Sequence, residues 1–167
     1  MYNRLTENDV KRIQEEIDHR KVEVRKELIE AVKEARAQGD LSENFEYYAA
    51  KRAKNQNESR IQYLEKMLKT AEIVEEGSDA DVVGMNNRVE LYFEEEDTEE
   101  VYKIVTPVRA DSLNNKISIE SPIGKAIFGR KVGERVMVSV GESWSFPVEI
   151  KWIDQTSTDE DDEIRKF

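Results

Sequence analysis

The sequence predicts an α+β protein: an antiparallel coiled-coil hairpin over residues 1–76, then a small antiparallel sheet with one short helix over 77–155. Three observations carry that prediction. Apolar residues recur at spacings of three and four through the first half, which is broken once, at Gly39-Asp40. Past Gly77-Ser78-Asp79 the pattern changes to short runs rich in β-branched and aromatic residues. Charge divides at nearly the same point: residues 1–75 carry 15 Lys+Arg against 16 Asp+Glu, and the other 92 carry 11 against 21.

The first helix is expected over 7–37, where neither Pro nor Gly occurs. Val10, Ile13, Ile17 and Val24 follow a heptad seam, and Leu28, Val32 and Ala35 shift it as a stutter does. The second helix carries a cleaner seam: Tyr47, Ala50, Lys54, Asn57, Ile61, Leu64, Leu68 and Ala71 alternate at three and four. Helices joined by so short a turn lie antiparallel, each covering the other's apolar stripe. At 1.5 Å per residue, about 30 residues make an arm of roughly 45 Å. Lys54 and Asn57 occupy core-type positions near the turn, where polar residues cost stability but set register.

In the second half, residues 82–85, 88–93, 101–106 and 117–119 read as strands, with the acidic run 94–100 as an exposed loop. Ser121-Pro122 announces a capped, proline-started helical turn ending near Gly129. Residues 135–140 and 145–153 form the last hairpin, around Gly141-Glu142. The tail 156–167, with its acidic run 159–163, is expected to be disordered.

Composition excludes several chemistries. There is no cysteine, hence no disulfide or thiolate metal site, and His19 is the sole histidine, which leaves no Ser-His triad within one chain. No run nears the ~18 apolar residues of a membrane helix. The start, Met1-Tyr2-Asn3-Arg4, has no apolar signal core, so a cytoplasmic location with no membrane partner is expected. A net charge of −11 argues against general coating of nucleic acid. Only the nearly neutral first half has a local route to it.

The densest segment is Gly39-Asp40-Leu41-Ser42-Glu43-Asn44-Phe45-Glu46-Tyr47-Tyr48. Asp40 and Glu43 have the spacing of an N-cap and its N3 partner, a D-x-x-E capping box. The same spacing sets two carboxylates together at the far end of a probe. Two acids cannot form a full octahedral Mg²⁺ cage, but they could complete a shell that a partner's acids and bound waters begin. Arg36, Lys51, Arg52 and Lys54, with Tyr47 and Tyr48, offer charge and stacking surface to single-stranded RNA. Phe45 is a bulky apolar group near an exposed tip.

Glu34-Ala35-Arg36 leading into the segment from Gly39 to Lys51 resembles the tip signature of Gre-type transcript cleavage factors of bacteria, nearer to their GreA branch. Ser121-Pro122-Ile123-Gly124-Lys125-Ala126-Ile127-Phe128-Gly129-Arg130-Lys131-Val132-Gly133-Glu134 resembles the C-terminal hallmark of the same family. The resemblance covers roughly 5–153 and implies an FKBP-like second domain. It implies a monomeric factor whose partners are RNA polymerase and the 3′ end of backtracked RNA. The globular domain would dock at the rim of the secondary channel through Ser121, Pro122, Ile123 and Phe128, with Ile123 and Phe128 alternatively serving its core. Asp40 and Glu43 would assist the polymerase's active site, sharing its second catalytic Mg²⁺ only in the complex and holding no metal stably alone. Arg36 and Lys51, with Arg52 beside them, would form the RNA-contacting patch. On this reading the chain is not itself an enzyme; it stimulates the polymerase's own RNA hydrolysis and rescues arrested complexes.

Phe45 stands where the family commonly has a small residue, and Tyr48 where it often has histidine. A channel-occupying paralogue that regulates or inhibits without cleavage is therefore the alternative. Retention of both acids argues against it. A peptidyl-prolyl isomerase and a plain coiled-coil adaptor are further alternatives; the adaptor leaves the tip unexplained, and FKBP-like form does not establish FKBP chemistry.

Overall fold

The computed structural model of the chain describes residues 4–39, 44–77 and 79–166. These fall into two compact units, Asn8–Ala71 and a second comprising residues 4–7 with Glu72–Lys166. The division comes a few residues before the boundary expected at 76/77, because strand β1 (Arg4–Leu5) pairs in parallel with β2 (Glu72–Ile73).

In the helical unit, α1 (Glu7–His19) runs through a π-helical turn, Arg20–Val24, into α2 (Arg25–Ala37); α3 spans Phe45–Lys69. Cross-helix pairs descend in one series as they ascend in the other: Glu16 with Arg60, Arg25 with Glu58, Arg36 with Tyr47. The helices are therefore antiparallel. Ile13, Ile17, Ala35, Tyr47, Ile61, Leu64 and Met67 are the buried apolar residues.

The π turn explains the stutter. Successive four-residue steps at Val24, Leu28 and Val32 would carry the seam off the partner helix, and a turn closed by i→i+5 bonds rotates less per residue. That bond is made here by the Arg25 N–H to the Arg20 carbonyl. Asn57, only 4% exposed, closes the same layer. Its amide donates to the Arg20 carbonyl at 3.3 Å, and its oxygen accepts from the Arg20 guanidinium at 3.0 Å. Arg60, which no apolar seam reveals, is equally buried and donates twice to Glu16, at 2.9 and 3.3 Å. Burial pushes the Glu16 carboxyl up, but hydrogen bonds from Arg60 and Arg20 outweigh it and hold the group below the usual carboxylate range.

The second unit is a five-stranded sheet: β3 (Arg88–Phe93), β4 (Thr98–Val105), β5 (Lys116–Ser118), β6 (Arg135–Val140) and β7 (Trp144–Asp154), in the order β5-β4-β3-β7-β6. It is mixed, because the edge pair β4–β5 is parallel. Helix α4 (Pro122–Ile127) packs against β6 and β5. The core takes Val89, Leu91, Ile104, Val138, Val148 and Ile150 from strands and Ile127 from α4. Residues 82–85 form isolated bridges and no strand of a ladder, although Val83 and Met85 are buried in the core. Asp81 and Asn86 adopt positive φ, 63° and 68°, and interrupt extended backbone on both sides.

The tail departs most from its expectation of disorder. Thr156 bonds back to Asp154, the Lys103 ammonium donates to the Thr158 carbonyl at 2.5 Å, and the Arg165 N–H donates to the Val108 carbonyl at 2.7 Å. Asp162 is 1% exposed. Its carboxylate meets Arg109 at 2.6 Å and both Lys103 and Lys116 at 2.9 Å. An acidic run reads as a self-repelling tail only while its partners are out of view, and these lie some 50 residues upstream. Burial pushes the Asp162 carboxyl up, but hydrogen bonds from Lys103, Lys116 and Arg109 hold it below the usual carboxylate range.

Asp162→Ala leaves those cations buried without their anion, so urea denaturation should show a loss of about 3–5 kcal/mol. A depressed folded-state pKa means the Asp162 contribution is complete above an unfolded value near 4 and disappears as pH falls through the lower folded value. The difference between wild type and Asp162→Ala should therefore narrow on acidification. A difference independent of pH would assign the loss to packing alone.

Candidate functional site

The described residues that flank the hairpin turn are the last of α2 and the first of α3. Asp40 and Glu43, the expected metal-associated acids, lie outside the described residues. The D-x-x-E capping box expected of the same two residues therefore also lies outside the described residues, and α3, which follows, is capped by Asn44. The Asn44 side chain accepts from the Tyr47 N–H at 3.0 Å. Its amide also donates to the Ala35 carbonyl at 2.5 Å, tying α3 to the end of α2. One short polar side chain thus starts one helix and ends the other. Asparagine immediately before Phe45 was a visible signal, but the aspartate one turn earlier competed with it.

Of the expected RNA-contacting residues, Arg36 and Lys51 converge on Tyr47. The Arg36 guanidinium donates to the Tyr47 hydroxyl at 3.3 Å and sits 5.5 Å from its ring centroid. That hydrogen bond lowers the hydroxyl's pKa from its ordinary value against the opposing effect of burial, with the charges of Arg36 and Lys51 adding to it. Lys51 and Arg52 then line an open groove of about 490 Å³ on α3, with Tyr48, Asn55, Gln56 and Ser59. Tyr48 stands edge-on to Tyr47 at 5.5 Å. Phe45, at the helix start, is 86% exposed. The face therefore presents cations, amides and aromatic rings in close succession, a combination suited to a phosphate backbone and unstacked bases.

The second motif is built around a close backbone approach. Ser121 caps α4: its hydroxyl accepts from the Gly124 N–H at 3.0 Å and donates to the Ser118 carbonyl at 2.6 Å. A Cβ at position 124 would meet that carbonyl oxygen at 2.0 Å, so glycine is obligatory there. Pro122 occupies the first turn and is exposed; Phe128 is also exposed, and Ile123 packs against the core. Of the expected docking residues, Ile123 thus serves the core, and Pro122 and Phe128 face outward.

Both halves of the chain match descriptions of one class, the transcription elongation factors: "Transcription elongation factor, N-terminal" over residues 3–73, and "Transcription elongation factor, GreA/GreB, C-term" over 78–155. The chain belongs to the GreA/GreB family. GreA of Acholeplasma laidlawii is 40% identical over 149 residues, spanning 89% of this chain and 94% of that protein. GreA of Thermoanaerobacter pseudethanolicus is 47% identical over 137 residues, spanning 81% and 87%. Among solved structures, GreA factor homolog 1 (Gfh1) of Thermus thermophilus is 28% identical, with 90% of this chain and 97% of that one covered and a TM-score of 0.42. The α+β architecture and the Gre-type resemblance read from the two motifs agree with this membership.

The double role of Asn44 is testable by thermal unfolding. Asn44→Ala should cost about 0.5–2 kcal/mol, the usual cost of a lost N-cap. Asn44→Asp should restore the cap but not the bond to Ala35, and fall between alanine and wild type. Gly124→Ala should cost about 1–3 kcal/mol through forced backbone displacement; an unchanged melting temperature would show that Ser118 moves freely.

Proposed function

We propose that the hairpin turn enters the secondary channel of RNA polymerase and stimulates the polymerase's own Mg²⁺-dependent cleavage of backtracked RNA, rescuing arrested complexes. The observation that carries this reading is that Asn44, which immediately follows the Glu43 of the acid pair, caps the same helix whose first turns carry the exposed Tyr48-Lys51-Arg52 face. Family membership supports it, since the known role of GreA/GreB factors is to stimulate transcript cleavage.

In this mechanism Lys51 and Arg52 hold the phosphates of the extruded strand, and Tyr48 offers a ring to an unstacked base. Arg36 is engaged with Tyr47, and so acts chiefly by holding that ring and adding positive field. Asp40 and Glu43 contribute two carboxylates. The donor set fits a cation whose remaining oxygen ligands come from the polymerase and water, since Mg²⁺ prefers six. When bound, that ion supplies Lewis-acid activation of water and charge neutralisation at the scissile phosphodiester. The chain itself performs no bond cleavage. Ser121, Pro122 and Phe128 serve as docking surface at the channel rim.

The exposed Phe45 favours one second reading, a factor that fills the channel and regulates without cleavage. Cleavage in a backtracked elongation complex separates the two. Asp40→Ala and Glu43→Ala should each slow 3′-end shortening by about 10–100-fold with polymerase binding retained. Binding lost with activity would reduce the acids to holding the turn. Wild type that competes with a cleavage factor yet shortens nothing would establish the channel-filling reading. Arg36→Glu with Lys51→Glu should weaken RNA engagement more than folding, and unaltered cleavage in that variant would remove the patch from the mechanism.

A further inference from the structure

The core face of the sheet is only partly covered. Helix α4 is short and packs toward β6 and β5, while a row of aromatic rings crosses β4, β3 and β7 beyond it. Tyr102 meets Phe93 edge-on at 6.3 Å, Phe93 stacks on Phe146 at 6.0 Å, and Phe146 lies 5.1 Å from Trp144. Tyr102, Phe93 and Phe146 pack inward on the core, whereas Trp144 is 58% exposed. The row floors a cleft of about 380 Å³, and its acidic lining residues are Glu95, Glu96 and Glu100, with no Lys or Arg among the residues that line it.

Other charges nearby are already engaged. Glu94 is paired with Arg135 at 2.7 Å, Asp97 accepts from the Tyr92 hydroxyl at 2.6 Å, and Lys151 stands over the Tyr92 ring at 5.3 Å. Glu95, Glu96 and Glu100 make no ion pair among the described residues. Their field reaches into the cleft: burial raises the pKa of the Tyr102 hydroxyl, and the charges of Glu100 and Glu96 raise it further.

We infer that this cleft is a docking site for an arginine-bearing segment of a partner protein. Charge complementarity selects the occupant. An aromatic floor under a carboxylate rim matches a guanidinium, which stacks its plane on rings while its edge donates to carboxylates. Arginine fits better than lysine, whose compact ammonium stays strongly hydrated and has no flat face to lay on a ring. Three lining carboxylates with no lining cation exceed what one guanidinium neutralises, so the occupant carries more than one positive charge, as a segment of polypeptide does. The site lies wholly within the sheet unit and does not depend on the tip or on the reading proposed for it.

Calorimetry with the full chain tests this, using a blocked Gly-Arg-Gly-Arg-Gly peptide and its citrulline counterpart, which keeps shape and removes charge. Binding of the arginine peptide should weaken as salt rises. Glu96→Gln with Glu100→Gln, and separately Trp144→Leu, should each weaken it about ten-fold or more while circular dichroism stays that of wild type. The lysine analogue should bind less well than arginine. Equal binding of the citrulline peptide would overturn the inference in favour of a merely apolar cleft. Absence of binding to millimolar peptide, or indifference to both substitutions, would overturn it outright. So would catalysed isomerisation of a proline peptide blocked by Trp144→Leu, because the cleft would then be an isomerase site. Cleavage assays read none of these outcomes, so failure here and failure at the tip remain distinguishable.

Discussion

The hairpin depends on a buried polar layer in its seam, Asn57 against Arg20. A two-helix arm has little apolar surface to bury, and its seam offers no unique register, since neighbouring heptads look alike to one another. Asn57 removes that degeneracy. Its amide is satisfied only where the π turn brings the Arg20 carbonyl and guanidinium opposite it. Slipping α3 by a turn would bury Asn57 against aliphatic side chains and leave its hydrogen bonds unmade, a cost of about 1–3 kcal/mol. The Glu16–Arg60 pair penalises the same slip, because Arg60 is buried and needs its acid. Register in turn decides where Asn44 meets Ala35, and so how α2 hands the chain to α3.

The two units solve the same physical problem by different means. The sheet closes a core of valine, leucine and isoleucine whose packing sets its shape, and a deep ionic cluster is added to it by the tail. The hairpin alternates apolar layers with charged ones, Glu16 with Arg20 and Arg60, then Arg25 with Glu58. Apolar layers supply the association, and the charged layers exclude competing alignments. Such a design yields an arm that is specified more strongly than it is stabilised.

Much of the fold was legible because it was encoded locally. Residues 88–93 and 135–140 alternate so regularly that β3 and β6 match their expected spans. Ser121-Pro122 marks the start of α4 because cap and proline are both chemistry of the first turn. What escaped was non-local or carried by a competing signal. Arg60 looks like a surface residue until Glu16 is placed across from it. Val83 and Met85 are apolar in alternation, yet the positive φ of Asp81 and Asn86 keeps them from a ladder. Asp162 belongs to a segment whose composition reads as disorder. Near the tip, Arg36, Lys51 and Arg52 stand out in the sequence by type, but the engagement of Arg36 with Tyr47 needed coordinates.

Asp162 also resolves an apparent conflict in the charge of the chain. A net of −11 would repel a polyanion if charge acted only in sum. Position matters more. Lys103, Arg109 and Lys116, three of the cations of the strongly acidic second half, are turned inward and neutralised by the tail, and offer nothing to a phosphate outside. Lys51 and Arg52 are exposed and line a groove with no acid among its lining residues. Acids more than a Debye length from that groove, about 8 Å at physiological salt, are largely screened from it. A strongly acidic protein can therefore hold a locally cationic face, because charge acts by position as well as in sum.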